Sequence, residues 1–142
     1  MKALDPITRF DFQRLSEIRR GEATALLAAR RFEGVYYLIG YAVECALKAC
    51  ICRRHLPDHF PPRPEVVQTM YSHDLSKLLA LAGLDKVLDA SVDATLIASW
   101  AITKDWKEQS RYNFPGQTEA EQLYTAVLDP THGVLPWLHQ HW

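Results

Sequence analysis

Apolar residues recur every three or four positions along most of this chain, which is the spacing of amphipathic helices. The longest apolar stretch, residues 35–52, is apolar almost all round and carries Glu44 and Lys48 in its middle. A helix that is apolar on every side lies inside a bundle, between neighbouring helices. Because unpaired burial of a charge is costly, Glu44 and Lys48 need partners or a watery cleft. The pattern therefore predicts a central helix around which the rest of the chain packs.

The other segments also favour helices, and no stretch alternates with period two, so the predicted class is all-α. A stretch with four prolines in residues 56–65 predicts a wide turn, and residues 105–116 depart from the helical pattern. Pro130 and Pro136 should kink or restart the last helix. The predicted helices span residues 11–31 with Asp11 as N-cap, residues 32–55, residues 72–83 with Ser72 as N-cap, residues 91–105, and the segment from Thr118, with Glu121 completing a capping box.

The length of 142 residues suits a single domain, residues 1–142, of ordinary globular composition. The net charge of −1 hides an asymmetry: residues 1–64 carry eleven Lys and Arg against seven Asp and Glu, whereas residues 65–142 carry five against ten. The basic half permits contact with nucleic acid without predicting it. The opening residues hold no apolar signal segment, and charges interrupt the best candidate span, so we expect a cytoplasmic protein without membrane contact.

Two sites with catalytic or metal chemistry are disfavoured by the sequence. Cys52, His55 and His59 have the spacing of zinc ligands, but Pro57 interrupts the helix and no fourth ligand is evident. The three cysteines of the central helix suit packing better than nucleophilic attack. We therefore expect reduced, mostly buried thiols, no metal and no cofactor.

One group of polar and aromatic residues remains as a candidate site. The structural interpretation, which we favour, is a satisfied network in which Arg111 pairs with Glu44. The alternative is a pocket for a phosphate or nucleotide, with Arg111 and Lys48 as its cations. The members of this predicted cluster are Tyr37, Tyr41, Glu44, Lys48, His73, Asp74, Trp106, Arg111 and Tyr112.

Three of these segments carry a family resemblance. Residues 40–49 (GYAVECALKA) resemble the second-helix signature of HEPN domains, the higher eukaryotes and prokaryotes nucleotide-binding family. Residues 72–75 (SHDL), followed by Leu78 and Leu79, resemble the next helix start of that family, and Trp106 with Arg111 and Tyr112 resembles its following element. The resemblance covers about residues 11–140, with the motifs in the family's order and spacing.

The resemblance implies an up-and-down bundle of four to five helices, often a homodimer. Many HEPN proteins are metal-independent endoribonucleases in toxin–antitoxin, abortive-infection or CRISPR systems, with an Arg-x(4–6)-His motif as the site. In this chain that spacing occurs only at the end of the second helix, where Arg54 or Arg53 precedes His59 with Pro57 between them. Such a pair would use the histidine as general acid/base and the arginine to stabilise phosphate charge.

The sequence thus predicts a HEPN-like dimeric module that binds RNA, a nucleotide or a partner protein. A nucleotidyltransferase antitoxin in a toxin–antitoxin or defence system is the expected kind of partner. The alternative is a metal-independent endoribonuclease toxin that uses Arg54 and His59, with His73 or Arg111 as further candidates.

Overall fold

The apolar periodicity is realised as helices throughout the computed structural model, which describes residues 6–55, 60 and 62–142. These residues contain helices and no strand, which confirms the all-α class. The eight α-helices are α1 (Arg9–Ala28), α2 (Phe32–His55), α3 (Pro64–Met70), α4 (Leu75–Leu81), α5 (Asp85–Asp89), α6 (Ala94–Thr103), α7 (Gln117–Leu128) and α8 (Val134–His139), and a 3₁₀ helix (Glu108–Tyr112) precedes α7.

Helix α2 is the centre of the bundle, as its all-round apolar sequence predicts. Half of its 24 residues are buried, and it packs against α1, α4, α7, α8 and the 3₁₀ helix. Small side chains at Ala42, Ala46 and Ala49 let neighbouring helices approach closely. The Ser16 hydroxyl of α1 donates a 2.7 Å hydrogen bond to the Ala42 carbonyl, which ties α1 to α2.

Among the described helices, α2 has the length and apolarity that a membrane span requires. However, 72% of its most apolar window is buried against the rest of the chain, which is the environment of a core helix. Neither property tests the expected cytoplasmic location, which stays a prediction.

The helix starts differ from the predicted ones because the capping side chains lie elsewhere. Thr8, not Asp11, is the N-cap of α1. Asp11 is the third helical residue, and its carboxylate accepts a 2.8 Å hydrogen bond from the Thr8 amide, as in a capping box. Asp74, not Ser72, caps α4 by accepting from the amides of Ser76 and Lys77. The Ser72 hydroxyl instead accepts from the Asp74 amide and shapes the turn before the helix.

The second half of the chain is more divided than predicted. The prediction of a capping box at Thr118 is wrong. Helix α7 begins at Gln117, after Gly116, and has no side-chain cap. The chain leaves α7 at Leu128 and starts α8 at Val134, which confirms a restart after Pro130. Three short elements were not predicted: α3, α5 and the 3₁₀ helix. Each has only five to seven residues, which is too short for an apolar repeat to be recognised.

Candidate functional site

A buried carboxylate on α2 is the starting point of the candidate site. Glu44 is 4% exposed, and the side chains of Lys48 and His73 both contact it. Its Oε2 lies 3.2 Å from Lys48 Nζ, one helical turn further along α2. Its Oε1 lies 2.8 Å from Nδ1 of His73, in the turn before α4. The charge of Glu44 is therefore matched within the bundle, as the sequence requires.

His73 continues the chain of charges to the 3₁₀ helix. Its other ring nitrogen, Nε2, lies 3.2 Å from Oε2 of Glu108, and Oε1 of Glu108 lies 3.0 Å from the guanidinium of Arg111. The His73 ring therefore lies between two carboxylates, with one ring nitrogen facing each of them. The predicted pair between Arg111 and Glu44 is wrong. The Arg111 guanidinium binds Glu108, three residues earlier, and His73 lies beside Glu44 instead.

Aromatic rings enclose the buried end of this chain of charges. The Tyr41 ring meets the rings of Tyr37, Trp106 and His73 edge to face, at centroid distances of 5.0, 5.2 and 6.3 Å. Burial raises the pKa of the Tyr41 phenol, and the contact with Tyr37 and the charges of Glu108 and Glu44 raise it further. The Tyr41 phenol therefore keeps its proton near neutral pH, and its ring packs against its aromatic neighbours.

Trp106 anchors the 3₁₀ helix against the backbone of α2. The indole is 1% exposed, and it occupies the space that a Cβ atom at Gly40 would fill. Glycine at position 40 therefore permits the close approach that brings the 3₁₀ helix next to Glu44. Among the described residues, the indole Nε1 has no hydrogen-bond partner.

A groove of about 300 Å³ opens beside this cluster, and we call it the polar groove. Trp106 forms part of its wall. Two of its cations, Lys104 and Lys107, are exposed and form no ion pair with any residue that the structure describes. The remaining lining residues are His73, Asp74, Glu108 and Gln109.

Two exposed aromatic rings follow the groove residues along the chain. Tyr112 is 71% exposed and Phe114 is 89% exposed. Phe114 lines a neighbouring pocket of about 270 Å³ that shares Lys107 and Gln109 with the polar groove. The Arg111 guanidinium lies 4.8 Å from the centroid of the Tyr112 ring. The phenols of Tyr37 and Tyr112 raise the pKa of Arg111, so its charge is permanent. This part of the surface thus carries exposed rings and positive charges, together with the carboxylates of Asp74 and Glu108.

The structure brings the residues of the predicted cluster into one region. Asp74 takes part through its capping of α4, which holds His73 in place, and it also lines the groove. Three further residues of this region were not predicted from the sequence: Glu108, Lys104 and Lys107. One feature of the sequence could have indicated Glu108. It lies three positions before Arg111, the spacing at which oppositely charged side chains pair on a helix.

The second predicted site, Arg54 with His59, has a different position. Arg54 lies at the end of α2, where its guanidinium packs against Gly83. It lies ten positions after Glu44 on α2, which is about 15 Å along the helix axis. His59 lies outside the residues that the structure describes, so the geometry of this pair stays a prediction.

The described cysteines and histidines form no metal cage. No group of three or more His, Cys, Asp or Glu side chains within the described ranges could hold a metal ion. The His55 ring hydrogen-bonds the Leu81 carbonyl at 2.9 Å, and Cys45 and Cys50 are buried free thiols. Burial raises the pKa of Cys50 to about 12 and that of Cys45 to about 11, which makes both poor nucleophiles.

Comparison of the chain with models of protein families, with curated proteins and with solved structures gave no match. The assignment of a function therefore depends on the geometry described above.

Proposed function

We propose that the chain is a HEPN-like helical module that binds single-stranded RNA along the polar groove and the two exposed rings that follow it in the chain. The observation that carries this proposal is that Lys107 lines both the polar groove, with Lys104, and the neighbouring pocket that contains the exposed Phe114 ring. The exposed Tyr112 ring lies two residues before Phe114 in the chain. Unstacked bases lie on aromatic faces, and phosphates bind cations, so single strands are recognised by this combination.

The chain of charges behind the groove supports binding rather than catalysis. His73 is held between two carboxylates, which leaves neither ring nitrogen free to exchange a proton with a substrate. The same contacts fix the 3₁₀ helix on α2 and so set the spacing between the lysines and the rings. A preorganised surface loses less freedom on binding, which favours affinity.

The HEPN-like character of the module is part of the proposal. Its support is the convergence of the three resembling segments, since Glu44 of α2, His73 before α4 and Trp106 before the 3₁₀ helix lie within one cluster. The homodimer and a nucleotidyltransferase antitoxin as partner are implied by the same resemblance. Sedimentation analysis tests the dimer, and co-purification with the product of a neighbouring reading frame tests the partner.

Fluorescence anisotropy with labelled single-stranded and duplex RNA tests the binding function. We expect tighter binding to the single strand, because paired bases cannot stack on Tyr112 and Phe114. The double variant Lys104→Gln/Lys107→Gln should lower the slope of log affinity against log salt by about 1.4, the value for two phosphate contacts on a single strand. The matched control is Arg14→Gln/Lys86→Gln, which removes the same charge from exposed positions on α1 and α5.

An unchanged salt slope in the groove variant, or equal loss in the control, contradicts the proposed site. The nuclease alternative is tested in the same mixtures. Cleavage in the presence of EDTA that His59→Ala abolishes would establish the alternative with Arg54 and His59, and intact RNA supports the binding module.

A further inference from the structure

A second pocket lies at the C-terminal end of α2, between the α4–α5 turn and the residues that follow α8. It has a volume of about 320 Å³ and is separate from the polar groove, with which it shares no residue. We call it the arginine pocket. Its principal lining residues are Arg53, Arg54, Gln140 and His141, with Cys50 and Leu84 as apolar floor.

The polar side chains that line the arginine pocket are two guanidinium groups, an amide and an imidazole. No acidic side chain lines the pocket, and neither Arg53 nor Arg54 forms an ion pair with any residue in the described part of the chain. Burial lowers the pKa of His141, and the positive charge of Arg53 lowers it further. The pocket thus brings together two guanidinium groups that form no ion pair within the described chain.

The position of Arg54 is built into the fold. Gly83 has a φ of 74°, which L side chains rarely adopt, and the Arg54 guanidinium occupies the space of the missing Cβ. Cations in the last turn of a helix stabilise the helix by themselves, and that accounts for the presence of Arg53 and Arg54 on α2. Gly83 itself ends α4: its amide bonds the Ala80 carbonyl and the Leu84 amide bonds the Leu79 carbonyl, a helix end that favours glycine with a positive φ. Neither effect accounts for a pocket that brings both arginines together with Gln140 and His141.

We propose that the arginine pocket binds the phosphate group of a small monophosphorylated molecule. Guanidinium groups form paired hydrogen bonds with phosphate oxygens, and the Gln140 amide supplies a further donor. A volume of about 320 Å³ is at the lower end of small-molecule pockets, so it suits a compact ligand better than a polymer. This site is independent of RNA binding at the polar groove.

The first test is an NMR titration of the full chain with inorganic phosphate at constant ionic strength. The side-chain signals of Arg53, Arg54 and Gln140 should shift together and saturate. Loss of either arginine to Gln should weaken binding about tenfold or more, since charge-assisted hydrogen bonds are lost. Arg54→Lys keeps the charge but not the paired geometry, and it should weaken binding by a smaller factor.

Two controls separate this site from general anion attraction and from the RNA site. Arg14→Gln/Arg31→Gln removes two exposed guanidinium groups from elsewhere and should leave the phosphate affinity unchanged. Lys104→Gln/Lys107→Gln should also leave it unchanged. The proposal is overturned if millimolar phosphate produces no saturable shift, or if the controls lose as much affinity as the pocket variants. Parallel titrations with 5′-AMP and with single-stranded RNA complete the test. The proposal is also overturned if the RNA shifts the pocket signals and 5′-AMP does not.

Discussion

Nδ1 of His73 lies 2.8 Å from Oε1 of Glu44, so a residue of the turn before α4 contacts a carboxylate in the centre of the bundle. Lys48 binds the other oxygen of the same carboxylate. Through Nε2, His73 also reaches Glu108 and thereby fixes the 3₁₀ helix. The position of the proposed RNA surface thus depends on contacts that begin at one buried residue of α2.

We expect Glu44→Ala to lower the free energy of unfolding by about 3 kcal/mol, because it leaves Lys48 and His73 without their shared partner. Arg111→Ala should cost less than about 1 kcal/mol, since its ion pair with Glu108 lies at the surface. Urea denaturation of both variants measures the difference. Equal costs would show that Arg111 also sustains the buried network.

Gly40→Ala should destabilise the protein by about 1–3 kcal/mol, because the added methyl group overlaps the Trp106 indole. The matched control is Gly21→Ala on α1, where no atom lies near the added Cβ. That change should stabilise the protein by about 0.5–1 kcal/mol, since alanine favours the helix. Thermal unfolding measures both, and a neutral Gly40→Ala would contradict the packing of Trp106 on α2.

The contact between His132 and Asp93 predicts a pH dependence of stability. Nδ1 of His132 lies 2.8 Å from Oδ2 of Asp93; the hydrogen bond raises the pKa of His132 and lowers that of Asp93. The histidine contribution is complete below its unfolded pKa of about 6.5 and is lost as pH rises through its folded pKa. The aspartate contribution is present above about 3.8 and is lost as pH falls through its folded pKa.

His132→Gln should therefore lower Tm more at about pH 5.5 than at about pH 9. His139 and His141 also titrate, but they are present in both proteins and cancel in the comparison. A difference in Tm that stays constant over this range would show that the pair contributes no charge interaction.

The cysteines should react in an order set by burial. With pKa values of about 12 and about 11, Cys50 and Cys45 hold almost no thiolate near neutral pH. Burial also raises the pKa of Cys52, but this thiol is only half-buried, so it should be alkylated first. Mass spectrometry after timed iodoacetamide treatment checks the order, with denatured protein as control. Rapid labelling of Cys50 in the native protein would contradict the closed core.

Periodicity predicts the long helices well because each buries many residues at regular spacing. The span predicted for the central helix, residues 32–55, matches α2, and its inward Glu44 follows from the same pattern. The partners of Glu44 do not follow from it. Which distant residue reaches a buried carboxylate depends on tertiary packing, and the assignment of Arg111 was wrong because the 3₁₀ helix that pairs it with Glu108 has no periodic signal.

We expect single-stranded RNA to bind along the polar groove and the exposed rings of Tyr112 and Phe114. An NMR titration of the full chain with a short unlabelled single-stranded RNA tests this binding residue by residue. Shifts should appear at the indole of Trp106, at Lys104 and Lys107, and at the rings of Tyr112 and Phe114. Saturable shifts that leave these residues unchanged, or no shifts at any RNA concentration, would rule out binding at this surface.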